Sequence, residues 1–255
     1  MTHVIAVANQ KGGVGKTTTA VNLGAYLGAV GRVLLVDVDP QANASASLGV
    51  DPRAIERSVY DVLLGGATLA TVVVPTGEPG LSLAPASHGL AGAQVELVDA
   101  ADRDTRLRDA VASVRDAYDV IILDCAPSLG ILTVNALAAA DAVLVPVQCE
   151  YLALEGLGQL MEIIGAVRAE LNPHLELLGV LLTMHDARTN LSTQVEQEVR
   201  RHFPAETFTS TVPRSVRLGE APSYGRSIRS YDAESRGALA YAGVAEEIIL
   251  RGYGP

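Results

Sequence analysis

Eight residues near the N-terminus, Lys11-Gly12-Gly13-Val14-Gly15-Lys16-Thr17-Thr18, combine glycines, lysines and hydroxyls in a pattern suited to holding phosphate. They follow a strand-like run, residues 3–8, and lead into residues 20–27, which read as a helix. A glycine-rich turn between strand and helix aims backbone N–H groups and the positive end of the helix at one point, where an anion is stabilised. In a G-x-x-x-x-G-K-[ST] loop the lysine, here Lys16, reaches the β- and γ-phosphates, and the hydroxyl, here Thr17, ligates Mg²⁺. This loop departs from that pattern at its first position, which is Gln10, and adds a second lysine, Lys11. Six specified positions recur by chance in roughly one chain in ten thousand. The loop is read as a nucleotide site.

Transfer of a phosphoryl group to water also needs a metal and an oriented nucleophile. Asp124 closes the apolar run Val120-Ile121-Ile122-Leu123. At the carboxyl end of a parallel strand it would lie beside the loop and hold Mg²⁺, directly or through a water. Asp37 and Asp39 follow a second apolar run, and their spacing of two points both side chains to one side while strand geometry lasts. The same two carboxylates could instead cap the segment that follows.

With Lys11 the loop resembles the deviant Walker A loop of the ParA/MinD/Soj ATPases. Asp37-Val38-Asp39-Pro40-Gln41-Ala42-Asn43 is similar to that family's second motif, and residues 120–127 to its Walker B strand. Residues 212–222 and 231–237 resemble the C-terminal signature of chromosomal Soj/ParA proteins, so the likeness spans all but about residues 50–100. The resemblance implies an ATP- and Mg²⁺-dependent hydrolase. Lys11 would reach across a dimer interface to the partner's nucleotide, beside Gly12, where a side chain would collide with the facing loop. Asp39 would orient or deprotonate the attacking water, Asp37 would support the Mg²⁺ shell, and Met184 and Pro213 would hold adenine. Residues 186–190 and 214–218 resemble the segments through which Soj proteins touch DNA, which singles out Arg188 and Arg217. A ParB-type partner would stimulate hydrolysis and release duplex DNA that is bound without sequence preference.

These groups need a frame. Unbroken apolar runs recur at residues 33–36, 120–123, 143–147 and 177–182, and strands apolar on both faces belong to a parallel sheet covered on each side. Between them lie helical patterns such as Leu154, Leu157, Leu160, Met161, Ile164 and Val167. The expected fold is α/β: a doubly wound, mostly parallel sheet flanked by helices. No linker divides the chain, so residues 1–255 are expected to form a single domain.

The formal net charge is −10 over 255 residues, against a wholesale nucleic-acid coat. From 200 to 236, however, seven arginines meet four acids, with no lysine. Arginine suits bidentate phosphate contact, though each of these could equally form an ion pair within the chain. Cys125 and Cys149 lie in apolar strand contexts and read as buried thiols, not as a disulfide or cluster pair. No apolar run reaches membrane-spanning length, and the chain enters a strand at once, so neither a signal peptide nor an N-terminal DNA-reading domain is expected. The expected location is the cytoplasm, on the nucleoid. A MinD-like membrane-cycling ATPase would need a basic amphipathic C-terminal helix. Here residues 245–255 are acidic at their start and broken by glycine and proline, and read as the end of a packed helix. A scaffold using ATP only as a dimer clamp is disfavoured by Asp39.

Overall fold

The computed structural model describes residues 2–150 and 153–255. In chain order the elements are β1 (His3–Val7), α1 (Lys16–Gly28), β2 (Val33–Val38), α2 (Asn43–Ser47), α3 (Val59–Leu63), α4 (Leu69–Val72), β3 (Val74–Pro75) and β4 (Leu81–Ala84). There follow α5 (Leu90–Glu96), α6 (Arg106–Ala112), β5 (Val120–Cys125), α7 (Ile131–Ala139), β6 (Ala142–Gln148), α8 (Ala153–Glu170) and β7 (Glu176–Thr183). The chain closes with α9 (Asn190–His202), α10 (Val216–Glu220), α11 (Ile228–Tyr231) and α12 (Arg236–Leu250). Seven strands form one sheet in the order β3-β4-β2-β5-β1-β6-β7, with only the β3–β4 pair antiparallel. The doubly wound expectation holds.

Successive residues of the central strands enter opposite cores. Ile5, Val7, Val33, Leu35, Val120 and Ile122 pack with α1 and α12, while Val4, Ala6, Leu34, Val36, Ile121 and Leu123 pack with α3, α7 and α8. Both sets are buried, which is why these strands read as unbroken apolar runs rather than alternating ones. In α8 the expected stripe holds for Leu157, Leu160, Ile164 and Val167, whereas Leu154 is 36% exposed at the helix start. Cys125 and Cys149 are both buried and unpaired. Burial raises both thiols, Cys149 to about 12.

From β1 the chain winds to β2 and β4 on one side, then returns to β5 and crosses to β6 and β7 on the other. The loops after β1, β2 and β5 therefore open a crevice at the carboxyl ends of the central strands. Helix α1 runs away from that crevice, and its far end is fitted closely. A Cβ on Gly28 would meet the Pro79 carbonyl oxygen at 2.8 Å. Gly28→Ala should gain up to about 1 kcal/mol of helix propensity but lose about 1–3 kcal/mol to overpacking. A thermal melt is therefore expected to fall by a few degrees; a rise would show that the 78–80 turn yields freely.

Candidate functional site

The loop after β1 ends in Gly13 and Gly15 with φ of 74° and 94°, left-handed values that favour glycine. Gly15 is the N-cap of α1 and offers no side chain, so the N–H groups of the first helical turn stay available to an anion. The loop is fixed from three sides. Asn9 donates to the Pro146 carbonyl at 2.7 Å and accepts from the Lys11 N–H at 3.0 Å. The Thr183 hydroxyl donates to the Val14 carbonyl at 2.7 Å. Lys16, 6% exposed, donates its ammonium to the Lys11 carbonyl at 3.1 Å. Burial lowers the Lys16 pKa, against the opposing pull of Asp124, Cys125 and Asp39.

Strand register places the carboxylates. Asp124 on β5 lies level with Val7 on one side and Asp37 on the other, one residue short of the end of β5 and of β2. By parity both carboxylate side chains emerge on the α1 face, above Val120, Ile122, Val33 and Leu35. Asp124 is wholly buried, and neither of its oxygens receives a hydrogen bond among the described residues. The Thr17 hydroxyl lies beside it and eases its ionisation without completing a bond. Its pKa is raised above the usual carboxylate range by burial first and by Asp37 next, with Thr17 and Lys16 opposing. An unpartnered buried carboxylate between a hydroxyl and an ammonium fits a divalent cation.

Asp37 differs. Its Oδ1 accepts from the Asp39 N–H at 3.2 Å, and its Oδ2 accepts from the Ser45 N–H and hydroxyl at 2.9 and 2.7 Å. Burial lifts its pKa to about 6 despite those bonds. The carboxylate thus caps α2 at its third residue, the alternative left open in the sequence. Both of its oxygens are thereby engaged within the protomer. Asp39 lies just past β2, 5% exposed, with Oδ1 accepting from the Gln41 N–H at 2.9 Å. Its Oδ2 accepts no hydrogen bond among the described residues.

Met184 and Pro213 meet in a slot of about 220 Å³ lined also by Gly15, Thr18, Val212 and Tyr241. The segment 212–214 is laced to the end of β7 by His185 N–H to Val212 C=O at 3.0 Å and by Val212 N–H to Leu182 C=O at 2.8 Å. Met184 takes a left-handed φ of 50°, strain of the kind that gathers at binding sites. This slot is largely apolar and lies next to the α1 N-terminus. A larger cavity of about 960 Å³ lies at the opposite edge of the sheet. Four of its charged residues pair with one another, Arg32 with Asp119 and Arg115 with Asp141.

Lys11 is half exposed and, within one protomer, its ammonium sits 3.1 Å from Glu150. The arginines singled out for DNA are on the surface, Arg188 in the turn after β7 and Arg217 in the first turn of α10. Each carries an ion pair, with Asp186 for Arg188 and with Glu220 and Asp232 for Arg217. Sequence reasoning missed Asn9, Thr183 and Glu150. The polar residues at and just past the ends of β1, β6 and β7 were the available signal, since all three stand at the carboxyl edge of the sheet.

Three comparisons bear on this geometry. A family model described as an AAA domain matches residues 2–177. The sporulation initiation inhibitor protein Soj of Bacillus subtilis is 51% identical, over 99% of this chain and 100% of its own. The chromosome-partitioning ATPase Soj of Thermus thermophilus is 54% identical over 97% and 95%, and the chromosome partitioning protein ParA of Caulobacter vibrioides 51% over 98% and 94%. A solved structure named cobyrinic acid a,c-diamide synthase, from Mycobacterium smegmatis with ADP and magnesium, superposes with TM-score 0.87 at 42% identity over 99% of this chain and 96% of its own. Septum site-determining protein MinD from Pyrococcus horikoshii, complexed with Mg-ADP, gives 0.82 at 25% over 97% and 96%. With its two-lysine loop, its level carboxylates and likeness of this extent, the chain belongs to the Soj/ParA family of chromosome-partitioning ATPases.

Proposed function

We propose that this chain hydrolyses ATP to ADP and phosphate, closes into a dimer around ATP, and in that state holds duplex DNA by its phosphates. A ParB-type partner would trigger hydrolysis and release. The observation that carries the reading is Asp124, a buried carboxylate with no hydrogen bond among the described residues, beside Lys16 and Thr17 in a glycine loop. Asp124 and Thr17 would hold Mg²⁺, which when bound offsets charge on the phosphates. Lys16 would turn its ammonium from the Lys11 carbonyl to the β- and γ-oxygens. The N–H groups of Gly13 to Thr18 would cradle the phosphates, and Met184 and Pro213 would flank adenine. Asp39 Oδ2 would take the hydrogen bond, and then the proton, of the attacking water.

The relatives at 51–54% identity are named Soj or ParA, while the diamide-synthase name belongs to a protein at 42%; this difference supports partitioning. Against a membrane cycle stands α12, which buries Tyr241, Val244, Ala245 and Ile248 on the sheet. No helix among the described residues is long and apolar enough to cross a bilayer. Phosphate release measured alone, with DNA, and with DNA plus a candidate partner tests the whole reading. Turnover with ATP and Mg²⁺ alone, raised by the partner, is expected. Co-sedimentation with liposomes but not DNA would overturn it in favour of a MinD-like cycle.

Binding through phosphates should ignore sequence and fall with salt, with a slope of about −0.9 per neutralised phosphate. Arg188→Ala and Arg217→Ala should each weaken binding to any duplex and flatten that slope by about one for each arginine lost from the dimer. The check is a salt titration of DNA affinity in the ATP state. Variants binding like the parent at moderate salt would assign these arginines to the fold.

A further inference from the structure

Both arginines of the DNA reading have their best donors already taken. Arg188 sets Nε and Nη2 against Asp186 Oδ1 and Oδ2 at 2.9 and 2.8 Å, and its own N–H also donates to Oδ1 at 3.1 Å. Arg217 gives Nη1 to Glu220 Oε2 at 2.8 Å and holds Nε 3.4 Å from Asp232. The Tyr231 hydroxyl donates to the same Glu220 oxygen at 3.1 Å and fixes it there. The two-pronged edge of a guanidinium is the part that a phosphate would engage. Of the other arginines from 200 to 236, Arg200, Arg201 and Arg214 pair with Glu196, Glu198 and Glu150, whereas Arg226, Arg229 and Arg236 make no ion pair within 4.0 Å among the described residues. Closure by carboxylates thus includes the two positions where phosphate contact is expected, although both side chains are exposed, Arg188 by 89%.

We propose that Asp186, Glu220 and Asp232 act as internal stand-ins for DNA phosphate that hold Arg188 and Arg217 shut and set the threshold for DNA binding. This inference rests on the DNA reading above. A closed pair is neutral and displaces no counterion from the duplex, so it adds nothing to the salt-dependent affinity. Each exposed pair is weakly held, which lets a high local density of phosphate open it. One protomer would then compete poorly, whereas a dimer meeting the duplex with two patches would open its pairs together. The carboxylates, as much as the arginines, would make DNA binding wait for ATP.

The test measures DNA affinity against salt, in the ADP and ATP states, for Asp186→Asn and for the double change Glu220→Gln with Asp232→Asn. These near-isosteric changes remove the charge and keep one acceptor oxygen on each side chain, and thermal melts check the fold. In the ATP state at about 100 mM salt, affinity is expected to rise about three- to tenfold for each arginine released, because no carboxylate then competes with the phosphate. Binding should become measurable with ADP. The gain from Glu220→Gln with Asp232→Asn must vanish in an Arg217→Ala background, and Glu234→Gln, at a nearby acid with no ion pair among the described residues, should change little. A gain that survives Arg217→Ala would be a general charge effect and would overturn the proposal. So would unchanged or weaker binding while Arg217→Ala still weakens the parent. If neither arginine matters to the parent, the DNA reading fails and this inference with it.

Discussion

Asp39→Ala is expected to keep ATP and Mg²⁺ bound while hydrolysis slows by about 10²- to 10⁴-fold, the usual loss when a general base is removed. Asp39 is held at the mouth of the crevice by two turn hydrogen bonds, one from Gln41 to its Oδ1 and one from its own N–H to Asp37. Its Oδ2 remains for a water. The cradle, by contrast, is built from other residues, so Lys16→Ala should abolish nucleotide binding itself by removing the charge on the β- and γ-phosphates. Because the Asp39→Ala variant would also lose the acceptor for the Gln41 N–H, Asp39→Asn separates the two roles. Asparagine keeps that bond but not the basicity, and should be as slow as alanine. Single-turnover hydrolysis alongside nucleotide binding reads the difference. Parent-rate turnover by Asp39→Asn would reduce Asp39 to a loop anchor.

Gly12→Val should leave the protomer folded and able to bind nucleotide, yet abolish ATP-dependent dimerisation. Gly13 and Gly15 need glycine for their positive φ, but Gly12 has no such need. A Cβ there would meet only Pro127 Cβ at 4.0 Å, an ordinary contact. Nothing among the described residues of one protomer demands the missing side chain, which supports a facing loop as the reason for it. Lys11→Ala should fail in the same way, at small cost to the protomer, because the exposed Lys11–Glu150 pair is worth about 0–1 kcal/mol. Light scattering with ATP, in an Asp39→Ala background that keeps the nucleotide intact, is the measurement. An ATP-independent dimer indifferent to Gly12→Val would refute the sandwich.

The central strands were legible because burial on both faces leaves them unbroken and apolar, and the loop because phosphate constrains so many neighbouring positions. Residues 51–100 were opaque for the opposite reason. There the elements are short, α3, α4 and the two-residue β3, and the edge of the sheet takes β4 parallel and β3 antiparallel on few apolar positions. Asp124 announced itself by ending an apolar strand. The double engagement of Asp37 did not, since it depends on Ser45, eight residues on, folding back as α2. The ion pairs of Lys11, Arg188 and Arg217 were likewise hidden: whether an exposed charge is shared or free depends on side-chain geometry that spacing does not encode.

The buried, unpartnered carboxylate of Asp124 has a consequence for the life of the protein in a cell. Polar groups left without partners in a dry interior lower the stability of a fold, and whatever binds them only in the folded state restores it. A chain built this way ties its own persistence to the supply of nucleotide and cation. Molecules that load would be protected, while those that fail to load would open more often and fall first to proteases. The abundance of the protein would then follow the energy charge of its host with no sensor beyond the fold itself.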